Sequence, residues 1–194
     1  MHTGTGCRVA FVGNYGWAPT ADGAWDLVTS IWPRIYRAMP SARLALVGAD
    51  LPGDLAAAAR AAGGIDIVGE VPSVLPTLTG ADVFVCPVRT GSGVKVKMVE
   101  AMRAGCAIVC TNAAVRGLPD GAASAVVMAD DEHEFADAVV GLLRDAVRRD
   151  TLSRRAVELI HQLPTWDEAA KALIGSWQRT AALPAGPLAA GRRS

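Results

Sequence analysis

The sequence DVFVCPVRTGSGVKVKMVEAM, residues 82–102, combines a strand, a glycine-bearing loop and the start of a helix. Residues 82–87 form the apolar run of a buried β-strand, and helical spacing begins after the two glycines of Gly91-Ser92-Gly93. In that helix, Val96, Val99 and either Met102 or Ala101 are spaced to face a core. We therefore predict a strand–loop–helix unit with the glycine loop at the carboxyl end of the strand.

Such a loop is suited to binding an anion. Glycines let the backbone approach a ligand closely, and the unpaired N–H groups and positive dipole of a helix N-terminus point at it. Lys95 and Lys97 add two positive charges in the predicted first turn, where cations oppose the dipole and so need another role. Glu100, close to Lys97 on the helix face, can accept hydrogen bonds from two sugar hydroxyls. These residues suggest a phosphate at the loop and a ribose at Glu100.

The same residues have a plainer interpretation. A Lys/Glu pair three residues apart is usually a solvated helix face, and Gly-Ser-Gly is often only a turn. The stretch matches neither common nucleotide fingerprint, because it contains no Gly-x-x-x-x-Gly-Lys-Ser/Thr and lacks the third glycine of a dinucleotide loop. Spacing alone leaves both interpretations open.

Size and charge narrow the class of protein. The 194 residues, 51% hydrophobic and 20% charged, suit one globular domain with a sizeable core. Basic and acidic residues balance at 19 each, which argues against a general nucleic-acid or membrane-surface role. No apolar run reaches the roughly 18 residues of a membrane span, and residues 1–6 are too short and polar for a signal peptide. We predict a cytoplasmic protein, free or peripheral to the membrane.

The four cysteines form no Cys-x-x-Cys pair and lie in or beside apolar runs, so we predict buried free thiols. The three histidines are scattered without ligand spacing, so we predict no metal site.

Six apolar strand-like runs alternate with helical stretches. The predicted strands are residues 8–12, 43–47, 65–68, 82–87, 106–110 and 125–128. The predicted helices are residues 20–39, 54–62, 71–78, the one ending at 104, 134–149, 151–163 and 167–183. Pro33 should kink or divide the first helix, whose core-spaced residues are Trp25, Val28, Ile31 or Trp32, and Ile35.

Strands without polar alternation predict a parallel sheet covered on both faces. The fold class is therefore α/β, a Rossmann-like doubly wound parallel sheet of about six strands. It occupies residues 8–183, between an N-terminal extension (1–7) and a disordered tail (184–194). Ligands bind such sheets beyond the carboxyl ends of the strands, so the loops at 13–16, 69–71, 90–95 and 111–117 should converge on one crevice.

Several short motifs along these loops match one known family in order and spacing. They are FVG at 11–13, Pro33 with Pro40, LVG at 46–48, VGEV at 68–71, GSG at 91–93 with Lys97, EAM at 100–102, GCAIV at 105–109 and Trp166. From about Arg8 to Trp177 the chain resembles the C-terminal, donor-binding half of a GT-B glycosyltransferase of the family 4 (group 1) type.

The resemblance implies transfer of a sugar, with retention and without a metal or cofactor, from a nucleotide-sugar donor that is typically UDP- or GDP-linked. Glu100 matches the second Glu of the family's Glu-x7-Glu motif and would hold the ribose hydroxyls. The implied donor-binding residues are Gly13, Asn14, Gly69, Val71, Thr90, Gly91, Ser92, Gly93, Val94, Lys95, Lys97 and Glu100. In this set the 93–95 amides face the diphosphate or donor sugar, the 69–71 loop borders the base, and Gly13 lets the first loop approach the phosphates. No catalytic residue is assigned.

Two positions depart from the family pattern. The first Glu of its motif falls at Ser92, which removes the usual carboxylate contact to the donor sugar. The usual Arg and Lys after the first strand are replaced by Asn-Tyr-Gly-Trp at 14–17. Our hypothesis is that Lys95 and Lys97 supply the missing phosphate charge.

A GT-B enzyme has two Rossmann-like domains, and this chain corresponds to the second, so an N-terminal domain or partner chain is expected to complete the acceptor side. The alternative is a non-catalytic nucleotide-sugar-binding or partner-docking module. Tyr15 and Trp17 are candidates for its docking face, or they pack on the helix that follows. A dehydrogenase is a poorer match because the first strand-to-helix turn lacks Gly-x-Gly-x-x-Gly.

Overall fold

The computed structural model describes residues 7–91, 93–162 and 166–181. Within them an all-parallel sheet has the strand order β3-β2-β1-β4-β5-β6. The strands are β1 (Arg8–Val12), β2 (Arg43–Val47), β3 (Ile65–Gly69), β4 (Val83–Cys86), β5 (Ala107–Cys110) and β6 (Val127–Met128). Every residue of β4 and β5 is buried, as expected for central strands covered on both faces. The prediction of a Rossmann-like α/β fold is confirmed.

Helices fill the connections between strands. They are α1 (Ala18–Asp26), α2 (Trp32–Ala38), α3 (Gly53–Ala62), α4 (Leu75–Thr79), α5 (Val96–Arg103), α6 (Asn112–Val115), α7 (Glu132–Arg144), α8 (Ala146–His161) and α9 (Trp166–Ala181). Right-handed crossovers place the helices between β1 and β3 on one face of the sheet, and those between β3 and β6 on the other. α5 packs against α8, and α2 packs against α7.

A π-helical turn at Leu27–Ile31 joins α1 to α2, with the Trp32 N–H reaching the Leu27 carbonyl. The chain was expected to be interrupted at Pro33, and the wide turn that accommodates this proline comes directly before it. Val28, Ile31, Trp32 and Ile35 are buried, as the spacing predicted. The core position predicted for Trp25 is wrong, because this side chain is 43% exposed.

The inward face of α5 agrees with the prediction in part. Ala101 and Met102 are buried as predicted, and Met98 is buried with them, whereas Val96 is 55% exposed. The helix begins only at Val96, so this residue lies at the mouth of the loop and the apolar stripe starts two residues later.

The boundary between the two helices after β6 lies five residues earlier than the sequence predicted. Asp145, rather than residue 150, separates them, and its carboxylate accepts a hydrogen bond from the Arg148 N–H at 2.8 Å. This contact satisfies one of the N–H groups that a helix start leaves unpaired, so Asp145 sets the start of α8.

The chain divides into two compact units, residues 1–161 and 162–194. The first contains the sheet, and the second contains α9. Residues 1–6 of the predicted extension (1–7) and the tail predicted at 184–194 lie outside the described residues, as does Ser92. Among the described helices, none has the length and apolar character needed to cross a bilayer.

The four cysteines are free thiols. Cys86, Cys106 and Cys110 are buried and Cys7 is half-buried. Burial raises the pKa of the Cys106 thiol to about 12, so this thiol stays protonated at neutral pH.

Candidate functional site

The crevice lies where the strand order reverses, between β1 and β4. Loops leaving adjacent strands at such a point run to opposite faces of the sheet and leave a cleft between them. In this protein the two loops that border the cleft are the β1 loop (residues 13–17) and the glycine loop (residues 87–95). The two loops touch, because a Cβ added to Gly91 would lie 3.3 Å from Cη2 of Trp17.

The backbone at the start of the β1 loop packs directly against the backbone at the end of β2. Gly13 donates its N–H to the Val47 carbonyl at 3.0 Å. Gly48 has φ +137°, and a Cβ there would lie 1.8 Å from the Gly13 oxygen. A Cβ on Gly13 would in turn lie 2.6 Å from Nζ of Lys97. The absence of side chains at both positions therefore makes room for the lysine ammonium under the β1 loop.

Lys97 projects from the first turn of α5 into this space. Its Nζ donates to Oγ1 of Thr20 at 2.8 Å and lies 5.1 Å from the centre of the Phe11 ring. Desolvation by burial lowers the pKa of Lys97, partly offset by its interaction with Cys86. No carboxylate forms an ion pair with Lys97 in the described part of the chain. A desolvated ammonium of this kind is suited to an incoming anion.

Lys97 opens onto a cavity of about 550 Å³. Its lining residues come from the loops after β1 and β2 and from the starts of α1 and α5: Asn14, Gly16, Trp17, Thr20, Asp50 and Lys97. Oδ1 of Asn14 accepts the Gly16 N–H at 2.7 Å, which folds the β1 loop back on itself. Two predicted site residues, Asn14 and Lys97, thus line one cavity, and Gly13 lies against it.

Lys95 is placed differently from Lys97. It is the N-cap residue of α5, is 4% exposed, and donates from Nζ to the carbonyls of Gly91 at 2.8 Å and Gly93 at 3.0 Å. We expected both lysines to supply phosphate charge. The geometry supports this role for Lys97, whereas the Lys95 ammonium is held inside the glycine loop.

Glu100 lines a second cavity, of about 400 Å³. The other lining residues come mainly from the segment after β3: Val71, Pro72, Ser73, Val74, Leu75, Leu78 and Arg103. Glu100 and Val71, two of the predicted site residues, therefore line the same cavity. Lys97 and Glu100 are nearly one helical turn apart on α5, about 4.5 Å of rise, so this helix contributes to both cavities.

The remaining predicted residues lie around the glycine loop and β3. Thr90, Gly91, Gly93 and Val94 are exposed on the loop itself. The loop after β5 approaches them, since a Cβ on Gly117 would lie 3.2 Å from the Val94 nitrogen. At the end of β3, Gly69 has φ +79°, a conformation that favours glycine.

The family model for glycosyl transferases group 1 matches residues 6–145. The chain belongs to this family. It is 30% identical over 166 residues to the phosphatidyl-myo-inositol mannosyltransferase of Mycolicibacterium smegmatis, and the match covers 81% of this chain and 41% of the relative.

Solved structures of low identity share the fold. HepE of Anabaena, in complex with UDP-glucose, superposes with a TM-score of 0.71 at 14% identity, over 90% of this chain and 49% of its own. WaaG, a glycosyltransferase involved in lipopolysaccharide biosynthesis, superposes with a TM-score of 0.69 at 16% identity, over 86% of this chain and 46% of its own. The group 1 chain thus spans less than half the length of each of these proteins.

Three residues of the group 1 site were missed from the sequence. Thr20 holds the Lys97 ammonium across 77 residues of chain, and no local signal indicates that contact. Asp50 lines the Lys97 cavity with φ 59°, a left-handed conformation that aspartate tolerates. Gly48 could have been recognised from the sequence, because it ends a predicted strand and belongs to a matched motif. Its contact with Gly13, however, forms only in the folded sheet.

The two aromatic residues of the β1 loop take different places. Tyr15 is 1% exposed and donates its hydroxyl to the Phe11 carbonyl at 3.1 Å, so it packs in the core and is not a docking residue. Trp17 is 48% exposed at the rim of the crevice. Among the described residues, no group of three or more His, Cys, Asp or Glu side chains is placed to hold a metal ion.

Proposed function

We propose that this chain is the donor-binding half of a glycosyltransferase that transfers a sugar from a UDP- or GDP-sugar to an acceptor. The observation that carries the proposal is the desolvated ammonium of Lys97 between the β1 loop and the glycine loop, which has no carboxylate partner among the described residues. Family membership and the cavity that Glu100 and Val71 both line support it. The transfer is proposed to retain anomeric configuration and to need no metal or cofactor, with Lys97 supplying positive charge at the diphosphate.

In this proposal the diphosphate lies in the Lys97 cavity and the ribose lies against Glu100. Breaking the bond between the sugar and the diphosphate places negative charge on the departing phosphate. A preorganised ammonium in a partly desolvated site stabilises that developing charge more than water does. The roles of Lys97 and Glu100 can therefore be separated by testing ligands with and without a ribose.

Glu100→Gln is expected to weaken UDP or GDP binding roughly 10- to 150-fold, the effect of losing a charged hydrogen-bond partner worth about 1.5–3 kcal/mol. Inorganic pyrophosphate has no ribose, so its dissociation constant should be unchanged. Isothermal titration calorimetry of both ligands measures the difference, with the exposed Glu158→Gln in α8 as the control. Equal losses for UDP and pyrophosphate would show that Glu100 does not contact the ribose.

Binding should also depend on pH in a direction set by Lys97. Its pKa lies below the ordinary 10.5, and only the protonated amine attracts the diphosphate. Pyrophosphate affinity is therefore expected to fall as the pH rises through this lowered pKa, before an ordinary lysine would lose its proton. In Lys97→Arg the guanidinium stays charged, so that decline should disappear. A decline of the same size in both proteins would assign it to another group.

The acceptor side is proposed to come from a second Rossmann-like domain or a partner chain, since the related proteins are about twice as long as this match. The alternative function is a non-catalytic nucleotide-sugar-binding or docking module. Exposed Trp17, Val94 and Val96 at the crevice fit a surface that another domain covers in either case. Hydrolysis or transfer of a UDP- or GDP-sugar, measured with the completing domain present, separates an enzyme from a module that only binds.

A further inference from the structure

The side chain of Lys95 is one of the few buried polar groups in the described residues, with Thr20 and Thr111. Removing an ammonium from water is costly unless its N–H groups are used. At Lys95 two of them are used, on the carbonyls of Gly91 and Gly93. Both acceptors belong to the loop that leads into the helix on which Lys95 is the N-cap, so the side chain folds back on its own loop.

These two bonds orient the backbone of the loop. In a trans peptide the carbonyl and the N–H of one unit point in opposite directions. Because the Gly93 carbonyl points at the Lys95 ammonium, the N–H of Val94 points away from it. The Val94 nitrogen faces the side of the loop where Gly117 approaches. The glycine loop is therefore held on its inner side by Lys95 and approached on its outer side by Trp17 and Gly117.

We infer that Lys95 is a positioning residue for the anion site. Its ammonium binds the carbonyls of Gly91 and Gly93 and so holds the glycine loop against Trp17, which lines the cavity where the diphosphate is proposed to bind. The inference rests on the proposed function, which supplies the diphosphate. It separates the two lysines of α5: Lys97 contacts the anion, and Lys95 acts through the backbone.

Order of the loop and affinity for the anion can be measured independently. The backbone order parameters of Gly91, Gly93 and Val94, from ¹⁵N relaxation, report loop order, where about 0.85 is rigid and below about 0.6 is flexible. Calorimetry with inorganic pyrophosphate and UDP reports affinity. In Lys95→Met the order parameters should fall below about 0.6, and both ligands should bind at least about tenfold more weakly. In the matched variant Lys97→Met, affinity should fall while the loop stays rigid.

Three results would overturn the inference. Lys95→Met could bind both ligands as the wild type does, or its affinity could fall while its loop stays rigid, which would mean direct contact with the anion. If the wild type itself binds none of pyrophosphate, UDP and GDP, the proposed function fails and this inference fails with it. Should Lys95→Met not fold, Lys95→Gln takes its place, because it removes the charge and keeps an amide donor. In Lys95→Gln, too, the loop order parameters and the affinity for both ligands should fall.

Discussion

Lys97→Met is expected to weaken the binding of UDP and of inorganic pyrophosphate alike, by roughly 10- to 150-fold. This corresponds to about 1.5–3 kcal/mol for a lost charged hydrogen-bond partner. The wild-type ammonium is desolvated and has no carboxylate partner among the described residues, so most of its charge is available to the ligand. Calorimetry with the two ligands measures the loss. Exposed Arg155→Met in α8 removes a positive charge at a position that lines neither cavity and is the control.

The same substitution should change the stability of the fold little. Because the folded-state pKa of Lys97 is lowered, its charged form destabilises the fold at neutral pH, and this penalty disappears as pH rises through that pKa. Methionine removes the penalty but also the hydrogen bond to Thr20, worth about 1 kcal/mol. The removed desolvation penalty and the lost hydrogen bond change the stability of the fold in opposite directions. A loss of affinity with an unchanged melting temperature supports a binding role, whereas unchanged pyrophosphate affinity would rule out Lys97 as the anion contact.

Gly48→Ala should be among the most destabilising single changes in the chain. The new Cβ would collide with the Gly13 backbone oxygen at 1.8 Å, and φ +137° is strained for any residue with a side chain. Strain and displaced backbone each cost about 1–3 kcal/mol, so we expect a loss of roughly 2–6 kcal/mol. For a chain of this size the melting temperature should fall by roughly 4–24 °C.

Thermal unfolding followed by circular dichroism measures that loss. The matched control is Gly141→Ala inside α7, where a Cβ would meet no atom within 4 Å. Alanine there should stabilise the helix by about 0.5–1 kcal/mol. Pyrophosphate affinity of Gly48→Ala should also fall, since Gly13 must move and the Lys97 ammonium lies against it. If both variants melted at the wild-type temperature, the close approach of Gly48 to Gly13 would be absent in solution.

Local pattern predicted much of the fold because it reports burial directly. β4 and β5 are buried at every residue, and such strands must be apolar throughout, so their sequence indicates a covered parallel sheet. Local pattern was wrong at single side chains. In the first helical stretch the spacing correctly predicted buried Trp32 and Ile35 but wrongly predicted a buried Trp25, because spacing does not show how far the rest of the fold covers a helix face.

The sequence by itself determined the alternating α/β architecture, the glycine loop between β4 and α5, and the presence of two lysines and a glutamate beside it. Only the tertiary structure decided what each lysine does. Lys95 and Lys97 are two residues apart, yet one is turned into the loop as the N-cap residue and the other reaches Thr20 across the crevice. The physical reason is that side-chain direction depends on where the helix begins and on which distant backbone leaves room, here that of Gly13 above Gly48.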